Sequence, residues 1–299
     1  MPLARYTEAM AALFRFAVCN EVFEKTPFAE SCASIRANGY QGIEIAPFTL
    51  AAEPADISPA QRAEYRRTIQ DQGLGFVGLH WLMAAPMGLH ATTPDLAVRA
   101  RSWQHIRRLI DLCADLGDGG VLVFGSPRQR SSTGGMTAAD ATHVFTAELA
   151  AVAAQAESRN VHILVEALPR NQSDIINNVA DAVAIVEQIR SPAVRTMFDS
   201  HNAVDETDPH GEVIRRYWRF IEHIHVNEVD GREPGTGDYD FQTLMETLSE
   251  FNYKKWVSLE VFDFRRGAEA IIRGAVEHLR GAMSGRSLAK QAVHLDELR

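Results

Sequence analysis

The sequence predicts one closed barrel of eight parallel β-strands, each followed by an α-helix, the (β/α)8 architecture. Three observations support this fold: eight short apolar runs recur along the chain, helical segments with clear start signals separate them, and most runs are continuously apolar. Continuous apolar runs are typical of parallel strands that are covered on both faces. The length of 299 residues suits one barrel of ~250 residues with extensions.

The apolar runs give the strand positions in order. They are Phe14–Asn20, Gly42–Pro47, Gly75–Trp81, Gly120–Ser126, Val161–Glu166, Val194–Asp199, Ile221–Val226 and Trp256–Val261. Eight repeats favour closure over an open doubly wound sheet. The nucleotide-binding fingerprint GxGxxG does not follow the first strand, and GxxxxGK[ST] occurs nowhere in the sequence. We therefore predict a single domain over 1–299, with the barrel at about 14–280. The extension 281–299 is polar, and we expect a peripheral helix or disorder there.

Capping signals mark the helices between the strands. Ser58 is followed by Pro59 and, three residues after the cap, by a glutamine, which forms a capping box. Thr26-Pro27, Thr93-Pro94, Thr137 and Asp240 are the other predicted helix starts. Glycines at 39, 73 and 117 are the predicted stops.

Composition argues against several classes of protein. The net charge of −9 disfavours nucleic-acid binding, because an acidic surface gains nothing from the release of phosphate counterions. No apolar run approaches the ~18 residues of a membrane span, and the apolar patch near the first residue is short for a secretory signal. The three cysteines form no CxxC pair, which fits a reducing compartment. We expect a cytoplasmic protein without membrane or nucleic-acid partners.

Four polar residues each end one of the last four strands: Glu166, Asp199, His225 and Glu260. The carboxyl ends of barrel strands converge on one mouth, where such barrels carry out chemistry. Three carboxylates and one imidazole suit a single divalent ion, Mn²⁺ first, with Mg²⁺ or Co²⁺ as alternatives. Zn²⁺ ranks lower, since its structural sites prefer thiolate and imidazole ligands.

The motifs around these residues resemble the xylose-isomerase-like TIM-barrel superfamily, the sugar-phosphate isomerase/epimerase type that includes ketose 3-epimerases and hydroxypyruvate isomerases. The resemblance covers roughly 14–280 and rests on LVE ending at Glu166, MFDSHN around Asp199, HIHVNE around His225, the loop REPGTG from Arg232, and SLE ending at Glu260.

The resemblance implies a function and roles for these residues. The chain would be a metal-dependent sugar isomerase or epimerase acting on a small sugar or keto-sugar, through proton removal next to a carbonyl and a metal-stabilised enediolate. Glu166 and Glu260 would be both metal ligands and the two acid/base catalysts, Asp199 and His225 pure ligands, and Arg232 a substrate contact. Relatives of this type are often dimers or tetramers, but no self-complementary patch in the sequence decides whether this chain is a homo-oligomer.

Two positions depart from the ketose epimerases. Their second glutamate, six residues after the first, is Gln172 here, and their substrate-binding histidine is displaced by one residue, to His201, with Asn202 in its place. A glutamine can bind a hydroxyl group but cannot act as a base. We therefore expect Gln172 and His201 to contact substrate. The two departures argue against assigning this chain as a 3-epimerase of free ketohexoses.

Further substrate contacts are expected at the same mouth. Glu44 ends the second strand, and His80 and Trp81 end the third. Arg128 and Arg130, in the loop after the fourth strand, would bind an anionic group of the substrate.

Three alternatives use the same barrel. The same enolate could expel a leaving group, which would make the protein a dehydratase or lyase, including one that cleaves C-glycosides or 3-keto sugars. The net charge of −9 argues against an abasic-site endonuclease. The complete set of four metal-ligand residues argues against a non-catalytic scaffold.

Overall fold

Eight parallel strands close into a barrel in chain order, each hydrogen-bonded to the next and the last to the first. The computed structural model describes residues 14–296, so the predicted tail is described up to Asp296, and residues 297–299 and 1–13 lie outside the described residues. The strands are β1 (Arg15–Cys19), β2 (Gly42–Ile45), β3 (Gly75–Leu79), β4 (Val121–Phe124), β5 (His162–Val165), β6 (Val194–Asp199), β7 (Ile221–Val226) and β8 (Trp256–Leu259). Every predicted strand is confirmed, with ends trimmed by at most two residues.

Eight main helices alternate with the strands. They are α1 (Phe28–Ala37), α2 (Pro59–Asp71), α3 (Leu96–Leu116), α4 (Ala138–Ser158), α5 (Val179–Ile189), α6 (His210–Tyr217), α7 (Phe241–Glu250) and α8 (Ala268–Asp296). None of the helices within 14–296 is long and apolar enough to cross a membrane.

The predicted helix starts are confirmed at Ser58, Thr137 and Asp240, whereas at Thr26-Pro27 and Thr93-Pro94 the helix begins after the proline. The side chains of Ser58 and Thr137 form complete capping boxes, and Asp240 accepts the backbone N–H of the third helical residue. The predicted start of α3 at Thr93-Pro94 was wrong: Asp95 is the cap, and its carboxylate accepts the N–H groups of Ala97 and Val98 at 2.9 and 3.1 Å. The carboxylate satisfies two helix-terminal donors at once and so fixes the cap one residue after the proline.

Strand alternation separates two apolar regions. Outward-facing strand residues pack with the helices in one large cluster, whereas a small cluster fills the barrel interior: Ala17, Val77, Val121, Val123, Leu164 and Met197, with Trp256 against it. The Arg15 guanidinium lies 3.6 Å from the centroid of the Trp256 ring at the amino-terminal end of the barrel. The interior is therefore packed with apolar side chains below the mouth.

Removing the cap of α4 offers a test of local stability. We expect Thr137→Ala to lower the free energy of unfolding by about 1 kcal/mol, because the two hydrogen bonds of the Thr137 hydroxyl, one from the Asp140 backbone N–H and one to the Asp140 carboxylate, are lost. Urea unfolding monitored by circular dichroism measures the change. Thr142→Ala, inside the same helix, is the matched control and should change stability by less; equal losses would contradict the capping argument.

Candidate active site and metal centre

The structure brings the four strand-end residues together at the carboxyl mouth of the barrel. One ligand-type atom from each of Glu166, Asp199, His225 and Glu260 lies within 4.8 Å of those of the other three. All four side chains are buried. Their convergence follows from strand periodicity, because each lies two residues beyond an inward-facing residue of its own strand, Leu164 before Glu166 being one example.

Asp199 shows most directly that this cluster fits a cation. Its Oδ1 accepts the backbone N–H groups of His201 and Asn202 at 2.7 and 2.8 Å. Its Oδ2 is buried and has no hydrogen-bond partner among the described residues, and it lies 3.5 Å from Nδ1 of His225. A carboxylate oxygen left unsatisfied beside three other ligand-type groups is the arrangement that a divalent ion completes.

The pKa shifts of the carboxylates in the cluster also fit a bound cation. Burial, followed by repulsion from Glu260 and Asp199, raises the pKa of Glu166 to about 8. Burial also raises the pKa of Glu260. Without a cation the crowded carboxylates therefore retain a proton near neutral pH, and a divalent ion would displace it.

Glu44 orients the histidine of the cluster instead of facing substrate. Its side chain is fully buried, with Oε1 3.0 Å from Nε2 of His225 and Oε2 2.8 Å from Nε2 of His223. Because Nε2 of His225 is engaged, Nδ1 is the nitrogen that faces Asp199 and Glu260. The expected substrate contact by Glu44 does not match this position, since Glu44 lies within strand β2, one residue below the strand end.

The contact between Glu44 and His225 leads to a quantitative prediction for Glu44→Gln. A carboxylate behind a ligating imidazole fixes the tautomer and raises ligand basicity, and its loss typically weakens metal binding about 10–100-fold. We expect a loss of that size in Mn²⁺ affinity, measured by calorimetric titration. Glu233→Gln, which changes another buried carboxylate on a loop, is the control. An unchanged Mn²⁺ Kd in Glu44→Gln would refute the positioning role.

A cavity of about 360 Å³ opens above the cluster. Among its lining residues are Glu166 and Glu260 together with four of the expected substrate contacts, His80, Trp81, Gln172 and His201. Both carboxylates thus face one open cavity, which suits a substrate held between two proton-transfer groups.

Hydrogen bonds hold one oxygen of each of these two carboxylates. Trp81 donates its indole Nε1–H to Oε1 of Glu260 at 3.1 Å, and Asn202 donates Nδ2–H to Oε1 of Glu166 at 3.0 Å. Trp81 adopts a left-handed backbone with φ of 51°, which bulky residues rarely do. Asn202 was not among the expected site residues, although it stands three residues after Asp199, where the resemblance places a substrate-binding histidine.

Gln172 and His201 lie next to Asn202 in this hydrogen-bond network. Gln172 Nε2 lies 3.4 Å from Oδ1 of Asn202 and 3.5 Å from Nε2 of His201. His201 Nδ1 donates a hydrogen bond to the carbonyl oxygen of Val229 at 2.7 Å, so Nε2 is the ring nitrogen that lies toward Gln172. The two residues therefore present hydrogen-bonding groups to the cavity.

A glycine lies directly after the fourth strand, where the chain passes Glu166. A Cβ atom at Gly125 would lie 2.0 Å from Oε2 of Glu166, so any other residue there would displace this carboxylate. The next residue, Ser126, has φ of 49° and ψ of 61°, and its buried hydroxyl has no partner among the described residues. The turn after β4 is thus shaped by the close approach of the Glu166 carboxylate.

A family model described as the xylose isomerase-like TIM barrel matches residues 32–282. The chain belongs to this family. Within the family it is 28% identical to L-ribulose 3-epimerase of Mesorhizobium japonicum, over 77% of this chain and 74% of that protein. It is 26% identical to D-psicose 3-epimerase of Agrobacterium fabrum, over 79% of this chain and 78% of that protein.

Solved structures share the fold of this family. A D-psicose 3-epimerase crystallised in the presence of D-fructose superposes with a TM-score of 0.78 at 20% identity, covering 91% of this chain and all of that one. The 3-keto-D-glucoside 4-epimerase of Escherichia coli superposes with a TM-score of 0.75 at 20% identity, covering 90% of this chain and 99% of that one.

The arginines expected to contact substrate lie away from the cavity lining of this family member. Arg232 is held by Asp230 Oδ2 at 2.7 Å and by the Thr236 carbonyl oxygen at 2.8 Å. Arg128 is exposed, while Arg130 is fully buried and donates to the Phe124 carbonyl oxygen at 2.8 Å. The single helical turn Pro127–Arg130 directs one arginine to solvent and the other behind the strand, so the pair does not form the expected anion pocket.

Proposed function

We propose that this protein is a divalent-metal-dependent sugar isomerase or epimerase that moves a proton at the carbon next to a carbonyl group. The observation that carries the proposal is that Glu166 and Glu260 share one cavity and one ligand cluster with Asp199 and His225. The epimerases to which the chain is similar support the class of reaction. The ligand set favours Mn²⁺, then Mg²⁺ or Co²⁺.

Glu166 and Glu260 carry out the proton transfer. The divalent ion, when bound by Glu166, Asp199, His225 and Glu260, supplies Lewis-acid polarisation of the substrate carbonyl and stabilises the negative charge that develops on its oxygen. One glutamate removes the proton and the other returns it to the opposite face of the same carbon. The bonds from Asn202 and Trp81 hold one oxygen of each carboxylate still while the exchange occurs.

The cavity supports a sugar with neutral hydroxyl groups near Gln172. Its amide lies beside Asn202 and His201 and can donate to or accept from a hydroxyl group, but it cannot remove a proton. The solved relatives include a 4-epimerase as well as a 3-epimerase, so the carbon that reacts depends on how each cavity orients its sugar.

A lyase reaction is the second candidate, favoured by His201. Its Nε2 is not fixed by a strong partner and lies at the cavity wall, where a protonated imidazole would assist the departure of a leaving group. Proton removal by either glutamate would be the same first step. Loss of water or of an aglycone from the product would identify this outcome.

Deuterium exchange tests the proposed function directly. The Mn²⁺-loaded protein is incubated in D₂O with ketoses, keto sugars, keto-glycosides and their phosphates, and the C–H signals are followed by NMR. Deuterium beside the carbonyl together with a mass-neutral isomer establishes isomerase chemistry and names the carbon. Exchange with loss of water or an aglycone assigns a lyase, and absence of exchange with every substrate contradicts the proposal.

A further inference from the structure

A second group of metal-ligating side chains lies beside the candidate active site. It consists of Cys19, Glu21 and His80, whose ligand-type atoms lie within 4.8 Å of one another. Cys19 ends strand β1, Glu21 belongs to the 3₁₀ turn Asn20–Phe23 that follows, and His80 comes directly after strand β3. All three are at least nine-tenths buried, with 1, 6 and 1% exposure. The group shares no residue with the four-residue cluster.

Two ligand atoms of this group lack a hydrogen bond. His80 Nε2 lies 2.7 Å from Oε2 of Glu21, but the second ring nitrogen, His80 Nδ1, and the second carboxylate oxygen, Glu21 Oε1, are buried without a hydrogen bond among the described residues. The nearest carboxylate oxygen to His80 Nδ1 in an ion pair is Oε1 of Glu44, at 3.6 Å, beyond hydrogen-bond distance. Buried carboxylate oxygens and imidazole nitrogens are costly to leave unsatisfied. The hydrogen bond between the two residues therefore uses only half of their bonding capacity.

A competing arrangement of Cys19 with Glu44 and His225 is also geometrically compact. There, however, both oxygens of Glu44 are engaged by histidines, and both nitrogens of His225 face carboxylates. An ion placed between them would have to break these bonds. The open bonding capacity lies with Glu21 and His80.

The backbone that carries the first two ligands is fixed. Asn20, between Cys19 and Glu21, accepts the backbone N–H of Ala46 at 2.8 Å and donates to the Thr49 hydroxyl at 2.8 Å. These bonds attach the turn to the segment after strand β2. Ligands held on a tied turn and at a strand end are positioned before an ion arrives.

We infer that Cys19, Glu21 and His80 form a second metal site, which takes a thiophilic divalent ion of the Zn²⁺ class. A thiolate ligand selects softer ions than the carboxylate-rich cluster does, and three protein ligands leave one coordination position open. On binding, the sulfur–proton bond breaks, the proton leaves to solvent and a sulfur–metal bond forms. Burial raises the pKa of Cys19 to about 12, so the metal-free thiol carries that proton. Since His80 also lines the catalytic cavity, this ion would fix part of its wall.

Cobalt titration tests the inference with a readout independent of activity. The full-length, metal-stripped protein is titrated with Co²⁺, and thiolate coordination is detected as a charge-transfer band in the near ultraviolet. We expect the wild type and Cys32→Ser, whose cysteine is buried in helix α1, to show the band. Cys19→Ser should lack it while still binding Co²⁺ at the carboxylate cluster.

A second variant covers the case in which Cys19→Ser does not fold. Glu21→Gln keeps the thiol but removes one ligand charge, so the Co²⁺ concentration needed to half-saturate the band should rise at least about tenfold. A wild type without the band, a band that persists in Cys19→Ser, or an unchanged titration in Glu21→Gln would overturn the inference. In those cases the group is a hydrogen-bonded His80–Glu21 pair beside an inert thiol.

Discussion

Replacing Glu260 with Gln is expected to lower kcat for epimerisation by about 10³–10⁴-fold, near the upper range for loss of a positioned acid/base group. The amide has nearly the shape of the carboxylate and can still accept the indole N–H of Trp81 through its oxygen. It cannot carry the proton between substrate and solvent, so the returning or departing proton has no path on that face. Steady-state kinetics at saturating Mn²⁺ measures the loss.

The same variant should separate the two half-reactions. If Glu166 and Glu260 serve opposite faces of one carbon, Glu260→Gln should still exchange deuterium into the epimer that Glu166 deprotonates, and not into the other. Glu166→Gln should show the reverse preference. Asp230→Asn is the matched control, because Asp230 lines the cavity but pairs with Arg232 outside the ligand cluster. Wild-type kcat in Glu260→Gln, or equal exchange into both epimers, would contradict the two-base assignment.

Replacing Asp199 with Asn is expected to weaken metal binding by about 10²-fold or more. This loss is larger than the roughly 10–100-fold effect typical of residues that only hydrogen-bond a metal ligand. The variant retains an oxygen for the backbone N–H groups of His201 and Asn202. The unsatisfied Oδ2 becomes an NH₂ group, which cannot bind a cation. The local backbone should therefore be preserved while the ligand is lost.

Thermal unfolding gives a second readout for this variant. A ligand that binds only the folded state at 100 times its Kd adds about 2.7 kcal/mol of stability. Mn²⁺ at 100 times the wild-type Kd should raise the Tm of the wild type and add only about 0.4 kcal/mol or less to the stability of Asp199→Asn, while circular dichroism verifies that the variant is folded. Wild-type Mn²⁺ affinity in Asp199→Asn would exclude this carboxylate as a ligand.

The sequence was sufficient to predict the strands and the cluster at their ends. Parallel strands buried on both faces need continuous apolar runs, and a polar residue such as Asp199 at the end of a run marks the mouth of the barrel. Apolar runs and the polar residues that end them are local in sequence, so the strands and the cluster can be predicted without knowledge of the packing.

The remaining contacts depend on side-chain directions that the sequence does not specify. Glu44 lies one residue below its strand end, and strand alternation turns it inward, beneath His225. Arg232 is captured by Asp230 and a carbonyl of its own loop, a geometry set by the turn. Asn202 reaches Glu166 across 36 residues of sequence, which no local pattern reveals.

The indole of Trp81 gives the protein a built-in optical reporter. It is 37% exposed, it is hydrogen-bonded to Glu260, and it contacts the Phe262 ring edge-on with 6.3 Å between ring centroids. Tryptophan emission responds to the polarity and charge around the ring, so occupation of the cavity or neutralisation of the Glu260 carboxylate should shift it. Trp103 is buried against Phe124 and Phe145, does not line the cavity, and should give a constant background. Binding events at the catalytic carboxylates can therefore be followed in real time without a label.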